Sequence, residues 1–286
     1  MADAPRCARI ARSASRRDTW RCGAGLLPAG REPVRAIDAE HYLMDVTLKQ
    51  DRVASMQAWP YSLPAVRNLG VLRFHPKVTF IIGENGSGKS TLLEAIAVAW
   101  GFNAEGGTRN FNFSTLASHS NLHEALRLGR SGRRARDGFF LRAESFYNVA
   151  SEIERLDGAP SFGAPVIDSY GGVSLHAQSH GESFFALMLH RFGGNGFYVL
   201  DEPEAALSPS RQMAMLTRLH QLVQQRSQFV IATHSPILMA YPHADILQIG
   251  EDGLQRVEYR DTEHYRLTRA FLEQPQRMLD TLLDGD

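Results

Sequence analysis

Nine consecutive residues, Gly83-Glu84-Asn85-Gly86-Ser87-Gly88-Lys89-Ser90-Thr91, carry what is needed to hold a polyphosphate. Glycines let backbone N–H groups curl around phosphate oxygens, and the lysine supplies a charge. The run follows an apolar stretch, residues 77–82, that reads as a strand. It precedes Leu92, Leu93, Ile96, Ala97 and Trp100, which keep one face at helical spacing. The helix start created by this context adds the positive end of a dipole. Lys89 would reach the β- and γ-phosphates of a nucleotide, and Ser90 would place its hydroxyl on a Mg²⁺ ion. A Gly-rich turn capping a helix accounts for the glycines but not for Lys-Ser-Thr.

A second constellation lies downstream. Phe197-Tyr198-Val199-Leu200 reads as a strand that delivers Asp201 and Glu202 at its end. Ligands of open α/β sheets collect at such C-terminal strand ends. Asp201 would hold Mg²⁺, and Glu202 would polarise an attacking water, a task for a carboxylate beside the metal but not on it. Gln178-Ser179-His180-Gly181-Glu182-Ser183 opens a helix 22 residues before Asp201. Ser179 and Glu182 have capping-box spacing, and a helix start offering Ser179 and Gly181 is also an anion site. Residues 229–232 read as another strand, which ends in Thr233-His234, with His234 33 residues after Asp201. There it could contact a γ-phosphate and orient the water.

With these four motifs in this order, residues 40–286 resemble the ABC-class ATPases. The resemblance is strongest to their soluble branch, the AAA-family ATPases related to SMC-type and OLD-type repair and defence proteins. Its wording is Gly-Glu-Asn-Gly-Ser-Gly-Lys-Ser-Thr, Ser-His-Gly-Glu-Ser and Ala-Thr-His-Ser-Pro. The resemblance implies an α/β P-loop NTPase fold of ABC-ATPase type: a mostly parallel sheet flanked by helices, with a small antiparallel β part near the N-terminus. It implies ATP and Mg²⁺ as ligands, with Gly83, Glu84, Asn85, Gly86, Ser87, Gly88, Lys89, Ser90 and Thr91 around the phosphates. Glu202, His234 and Lys89 would be the catalytic residues, and Ser90, Asp201 and Glu144 the metal contacts. Glu144 stands where the family carries Gln, and Ser208 where it usually carries Asp. The family's ATP-bound, head-to-tail homodimer would bring Ser179 and Gly181 onto the partner's ATP. Tyr61 and Phe74 are candidates for stacking on adenine.

The elements that must position these groups follow from the wider pattern. Strand–helix alternation with continuous apolar strands is the mark of a parallel sheet covered on both faces. Residues 43–49 and 71–74 read as short strands outside that alternation, and 139–146 as a further strand. Helices are expected through Phe184, Phe185, Met188, Leu189 and Phe192, and through Met215, Leu216, Leu219, Leu222 and Val223. Residues 1–39 read as a disordered, Arg-rich tail preceding one ATPase domain at 40–286. The first 36 residues hold eight Arg against three acidic residues, while the whole chain balances 31 basic against 31 acidic residues.

That balance argues against a wholly basic nucleic-acid binder. No apolar run reaches the roughly 18–20 residues that a membrane span needs, and a cytoplasmic setting is expected. Cys7 and Cys22, both in the tail, form neither a disulfide framework nor a zinc pattern. His119 and His123 have i,i+4 spacing without a third ligand, so zinc is not expected. Arg127, Arg130, Arg133, Arg134 and Arg136 read as a solvated loop, with nucleic acid as a candidate partner. Phe271, Met278, Leu279, Leu282 and Leu283 suggest a last amphipathic segment packed on the domain. Two other functions share the motifs: the ATP-binding subunit of an ABC transporter, and a module in which ATP gates DNA binding.

Overall fold

The computed structural model describes residues 40–108, 120–143, 146–158 and 164–283; the tail, His119 and Glu144 lie outside them. In chain order the elements are β1 (Leu43–Leu48), α1 (Pro64–Arg67), β2 (Leu72–Arg73), β3 (Val78–Ile82) and α2 (Lys89–Trp100). Then come α3 (Leu122–Ala125), β4 (Leu126–Arg130), β5 (Asp137–Arg142), α4 (Phe146–Asp157), α5 (His180–Ala186) and β6 (Gly196–Asp201). The chain continues through α6 (Pro209–Gln224), β7 (Gln228–Ala232), α7 (Pro236–Met239), β8 (Ala244–Gly250), β9 (Gly253–Val257), α8 (Glu263–Glu273) and α9 (Pro275–Leu283). No helix among the described residues is long and apolar enough to cross a membrane.

Strands β3, β6 and β7 are buried at every position, which is why their sequences are unbroken apolar runs. They lie in a six-stranded sheet ordered β5-β6-β7-β3-β8-β9, parallel except for β9. Side chains alternate between two cores. Phe80, Ile82, Tyr198, Leu200, Phe229 and Ile231 face one core, with Phe184, Met188, Met215 and Leu219 from the helices. Ile81, Phe197, Val199, Val230 and Ala232 face the other, with Leu92, Ile96 and Trp100 of α2. In the second core sits the small antiparallel sheet β2-β1-β4, fixed by Asp45↔Arg73 and Val46↔Leu128 pairs.

A buried and a half-buried polar group stitch these layers. Gln228 is fully buried, and its amide oxygen accepts from the N–H groups of Tyr42 and Leu43, at 2.8 Å each. Its amide nitrogen donates to the carbonyls of Leu43 and His75, at 2.8 and 3.0 Å. All four hydrogen-bonding positions of the side chain are thereby satisfied. At the same end of the sheet, Asp137 accepts from Arg191 at 2.8 Å, Gly193 N–H at 2.9 Å and Tyr198 Oη at 2.7 Å. Burial opposes its ionisation, but those donors together hold the carboxyl below the ordinary carboxylate range.

Three readings of the sequence need correction. The strand expected over 139–146 is β5, which ends at Arg142 because its partner β6 ends at the paired Asp201. Phe146 instead opens α4, whose Phe146, Val149, Ala150 and Ile153 are buried at helical spacing. The arginine cluster is not simply a solvated loop. Arg127 and Arg130 lie on β4, Arg130 covers the Trp100 ring at 4.4 Å, and Arg133 covers Tyr42 at 4.5 Å. The C-terminal segment forms two helices, α8 and α9, with no buried residue; Leu282 and Leu283 are 69% and 77% exposed.

Asp137→Ala is expected to cost about 2 kcal/mol in a denaturant titration near pH 7. That is less than for a fully buried pair, because the carboxylate keeps 17% exposure. A carboxyl depressed in the folded state stabilises above its unfolded pKa, near 3.8, and loses that contribution as pH falls through the folded value. The gap between variant and wild type should therefore narrow below about pH 4.

Candidate functional site

The parallel order brings the C-terminal ends of β3, β6 and β7 to one edge, and the site is built there. Beyond Ile82 the chain turns through Gly86 and Gly88, with φ of 79° and 97°. At Gly88 a Cβ would be strained by that backbone and would meet the Cβ atoms of Leu63 and Ala65 at 3.1 and 3.2 Å. α2 starts directly after it, at Lys89. The Lys89 ammonium folds back to donate to the carbonyls of Gly83 at 2.9 Å and Glu84 at 3.0 Å, bracing the loop it belongs to. Burial pulls its pKa down, opposed by Glu202, Asp201 and Glu204.

Ser90, one residue into the helix, donates its hydroxyl to Asp201 Oδ1 at 3.1 Å. The other carboxylate oxygen lies 3.8 Å from Arg142 Nε, and Arg142 is anchored to Glu94 of α2 at 2.7 Å. Two hard oxygen donors thus converge at the strand end beside the loop, a donor set that suits Mg²⁺. Among the described residues no group of three His, Cys, Asp or Glu could hold a metal by itself. A cation here would draw its remaining ligands from phosphate oxygens and water, as Mg²⁺ commonly does. Glu144, the third metal residue expected from sequence, is outside the described residues.

Glu202 takes a left-handed conformation, φ 49° and ψ 52°, rare for a residue with a Cβ. Its N–H bonds to Ala232 O at 3.0 Å, and Pro203 then opens the short turn Pro203–Ala206. This sharp turn sends the Glu202 carboxylate into a cavity of about 900 Å³ lined also by residues 83–87, His234 and His264. His234 Nε2 lies 3.6 Å from Glu202 Oε1. Its backbone N–H donates to Glu204 at 2.5 Å, and its Nδ1 lies 3.1 Å from His264 Nε2. Burial and Lys89 pull the His234 pKa down, opposed by Glu202.

The structure therefore gathers Gly83, Glu84, Asn85, Gly86, Ser87, Glu202 and His234 around one cavity, with Lys89, Ser90 and Asp201 bonded beneath. Ser179 and Gly181 are not on its wall. Ser179 caps α5 as its spacing predicts: its N–H and hydroxyl both donate to Glu182, at 3.1 and 2.6 Å. Gly181 has a steric reason as well, since a Cβ there would meet Ala206 O at 2.6 Å. The start of α5 thus rests on the turn that follows Glu202. Tyr61 and Phe74, the candidates for stacking on adenine, are buried in the second core and do not line the cavity, whereas Pro64 and Arg67 do.

Three contributors escaped the sequence reading. Arg142 and Glu204 carry no motif of their own, although each sits within three residues of one. His264 arrives from α8, whose start is marked in the sequence by the Thr262 N-cap, a 3.3 Å bond from Tyr265 N–H.

Two family models match the chain. One, described as "AAA domain", covers residues 65–142. The other, described as "AAA domain, putative AbiEii toxin, Type IV TA system", covers residues 112–240. No curated protein matches. Among solved structures, the SMC head domain from Thermotoga maritima is similar at 19% identity and a TM-score of 0.40, over 76% of this chain and 99% of that one. So is cbiO1 from Clostridium perfringens, part of the ABC transporter complex cbiONQ, at 16% identity and a TM-score of 0.45, over 83% and 97%. The first family model spans the phosphate loop and the second spans Ser179, Asp201, Glu202 and His234; residues 65–240 are thus similar to AAA domains, and they carry a P-loop sequence on a mostly parallel α/β sheet.

Proposed function

We propose that residues 40–286 hydrolyse ATP to ADP and phosphate at the interface of a head-to-tail homodimer that forms on ATP binding. The observation that carries this reading is the convergence of Glu202 and His234 on the cavity walled by the phosphate loop, while Ser179 and Gly181 lie away from it. On this reading Glu202 would be the water-activating carboxylate, the start of α5 from a second subunit would complete the phosphate site, and each chain would hold half of a composite site.

The loop N–H groups and the start of α2 bind the phosphates. Lys89 exchanges its two loop carbonyls for the β- and γ-phosphate oxygens and offsets the charge that builds on them. Ser90 and Asp201 would hold Mg²⁺, which supplies charge neutralisation to the phosphates when bound. Glu202 orients the attacking water in line with the γ-phosphorus and takes up its proton. His234, neutral through burial, donates from Nε2 to a γ-phosphate oxygen. Ser179 of the partner subunit donates to the same phosphate from the other side, and Gly181 allows the close approach.

The work coupled to this cycle, in our reading, is DNA-related or defensive and cytoplasmic. The toxin–antitoxin wording of the second family model supports the defensive side.

Lys89→Ala should weaken nucleotide binding at least about tenfold in a fluorescent-nucleotide titration, since it removes charged hydrogen bonds. Glu202→Gln should keep that affinity and lower kcat by about 100-fold or more. Wild-type turnover per chain should rise with protein concentration until the dimer saturates. A specific activity that is independent of concentration and unchanged in Glu202→Gln would overturn the proposal.

A further inference from the structure

His234 is not alone at the end of β7. Its Nδ1 faces His264 Nε2 at 3.1 Å, with the two ring centroids 5.3 Å apart, and His264 lines the same cavity as the phosphate loop. Each neutral imidazole has one N–H and one lone pair, so a bond between two rings can run in only one of two directions. The surroundings distinguish them.

If His234 carried its proton on Nδ1, its Nε2 lone pair would face the Glu202 carboxylate oxygen 3.6 Å away, which is repulsive. His264 would then accept at Nε2 and hold its own proton on Nδ1. That atom is buried and has no hydrogen-bond partner among the described residues, so an N–H there would be orphaned. In the opposite direction, His264 Nε2–H donates to His234 Nδ1, and His234 Nε2–H faces Glu202 and the cavity. His234 Nε2 and His264 Nδ1 are both buried without a hydrogen-bond partner among the described residues, so what separates the two directions is the charge of Glu202, which attracts an N–H on His234 Nε2 and repels a lone pair there.

We infer that His264 is a positioning residue for hydrolysis: from α8 it fixes His234 in the Nε2–H form and holds that N–H toward the γ-phosphate position. The inference rests on the hydrolytic reading of the site. Its physical basis is general, since the hydrogen bond at one imidazole nitrogen decides which nitrogen carries the proton. Burial lowers the pKa of both rings, in keeping with a neutral pair. Of the charged groups near the pair, Glu202 and Glu263 favour protonation of the ring each faces and Lys89 opposes it for both, while Glu204 accepts from the His234 backbone N–H. One consequence is that α8, the helix after the β8–β9 hairpin, becomes part of the catalytic apparatus. A displacement of α8 would release the His234 ring without touching the phosphate loop.

The test combines kinetics with long-range ¹H–¹⁵N spectra of histidine-labelled full-length protein, His234 being assigned by its loss in His234→Ala. In the wild type, His234 should show a protonated Nε2 and a bare Nδ1. His264→Ala should mix the two forms and lower kcat about tenfold, with KM for ATP within about twofold. His264→Gln, whose amide can still donate to Nδ1, should recover most of the rate. The double variant His234→Ala/His264→Ala should be no slower than His234→Ala alone, since both remove one device. Unchanged melting temperatures would exclude loss of fold as the cause.

A wild-type His234 protonated at Nδ1, an unchanged kcat in His264→Ala, or multiplicative losses in the double variant would overturn the inference. Failure of the wild type to hydrolyse ATP, or full activity of Glu202→Gln, would instead sink the hydrolytic reading. The spectra would then still decide whether His264 sets the His234 tautomer.

Discussion

The bond from Ser90 to Asp201 joins groups 111 residues apart, and it exists only because β3 and β6 run parallel in one sheet. Parallel order puts every strand's C-terminal end on one edge. β7 lies between β3 and β6, so it too must end there, and it brings Thr233-His234 between the loop and the carboxylates. The three strands can be packed in this way because they are apolar on both faces and have a helical layer on each side. The charged site therefore stands on a base that contains almost no polar side chains.

Close approach links the two halves of the site that we propose to be shared between subunits. The turn Pro203–Ala206 follows Glu202, whose left-handed backbone starts it. The start of α5 touches that turn so closely at Gly181 that a methyl group has no room. Arg211 of α6 adds an ion pair to Glu182 at 3.3 Å, although such an exposed pair contributes little energy. The stronger constraint is steric. A shift of Glu202 during the reaction would be felt at Ser179 through a few packed atoms, with no long pathway required.

Much of this was legible in the chain because local chemistry and tertiary place coincide. The phosphate loop needs glycine where φ is positive, a lysine that can fold back and a helix start, and those demands leave a contiguous signature. The strand runs at 77–82, 197–200 and 229–232 are visible because full burial excludes polar residues. β4 was hidden because its exposed positions carry Arg127 and Arg130, whose charges resemble a loop until their guanidinium groups are seen bonding Thr47 and covering Trp100. The strand β5 was read four residues too long because apolar character continues into α4 through Ala143 and Phe146; only the end of its partner β6 stops it. His264 left no trace, since its role depends on where α8 packs and not on any neighbour in sequence. Tyr61 and Phe74 show the converse, since both are taken up by the core and do not line the cavity.

The central claim is that one subunit's phosphate loop and another's Ser179 make a single site. Mixing two inactive proteins, Lys89→Ala and Ser179→Arg, tests it most directly, with ATP hydrolysis as the readout. Each homodimer has two broken sites, whereas a mixed dimer carries one site with both Lys89 and Ser179 intact. Random pairing should restore about a quarter of the wild-type activity. A mixture as inactive as its components, with each variant still folded and exchanging partners, would contradict the shared site.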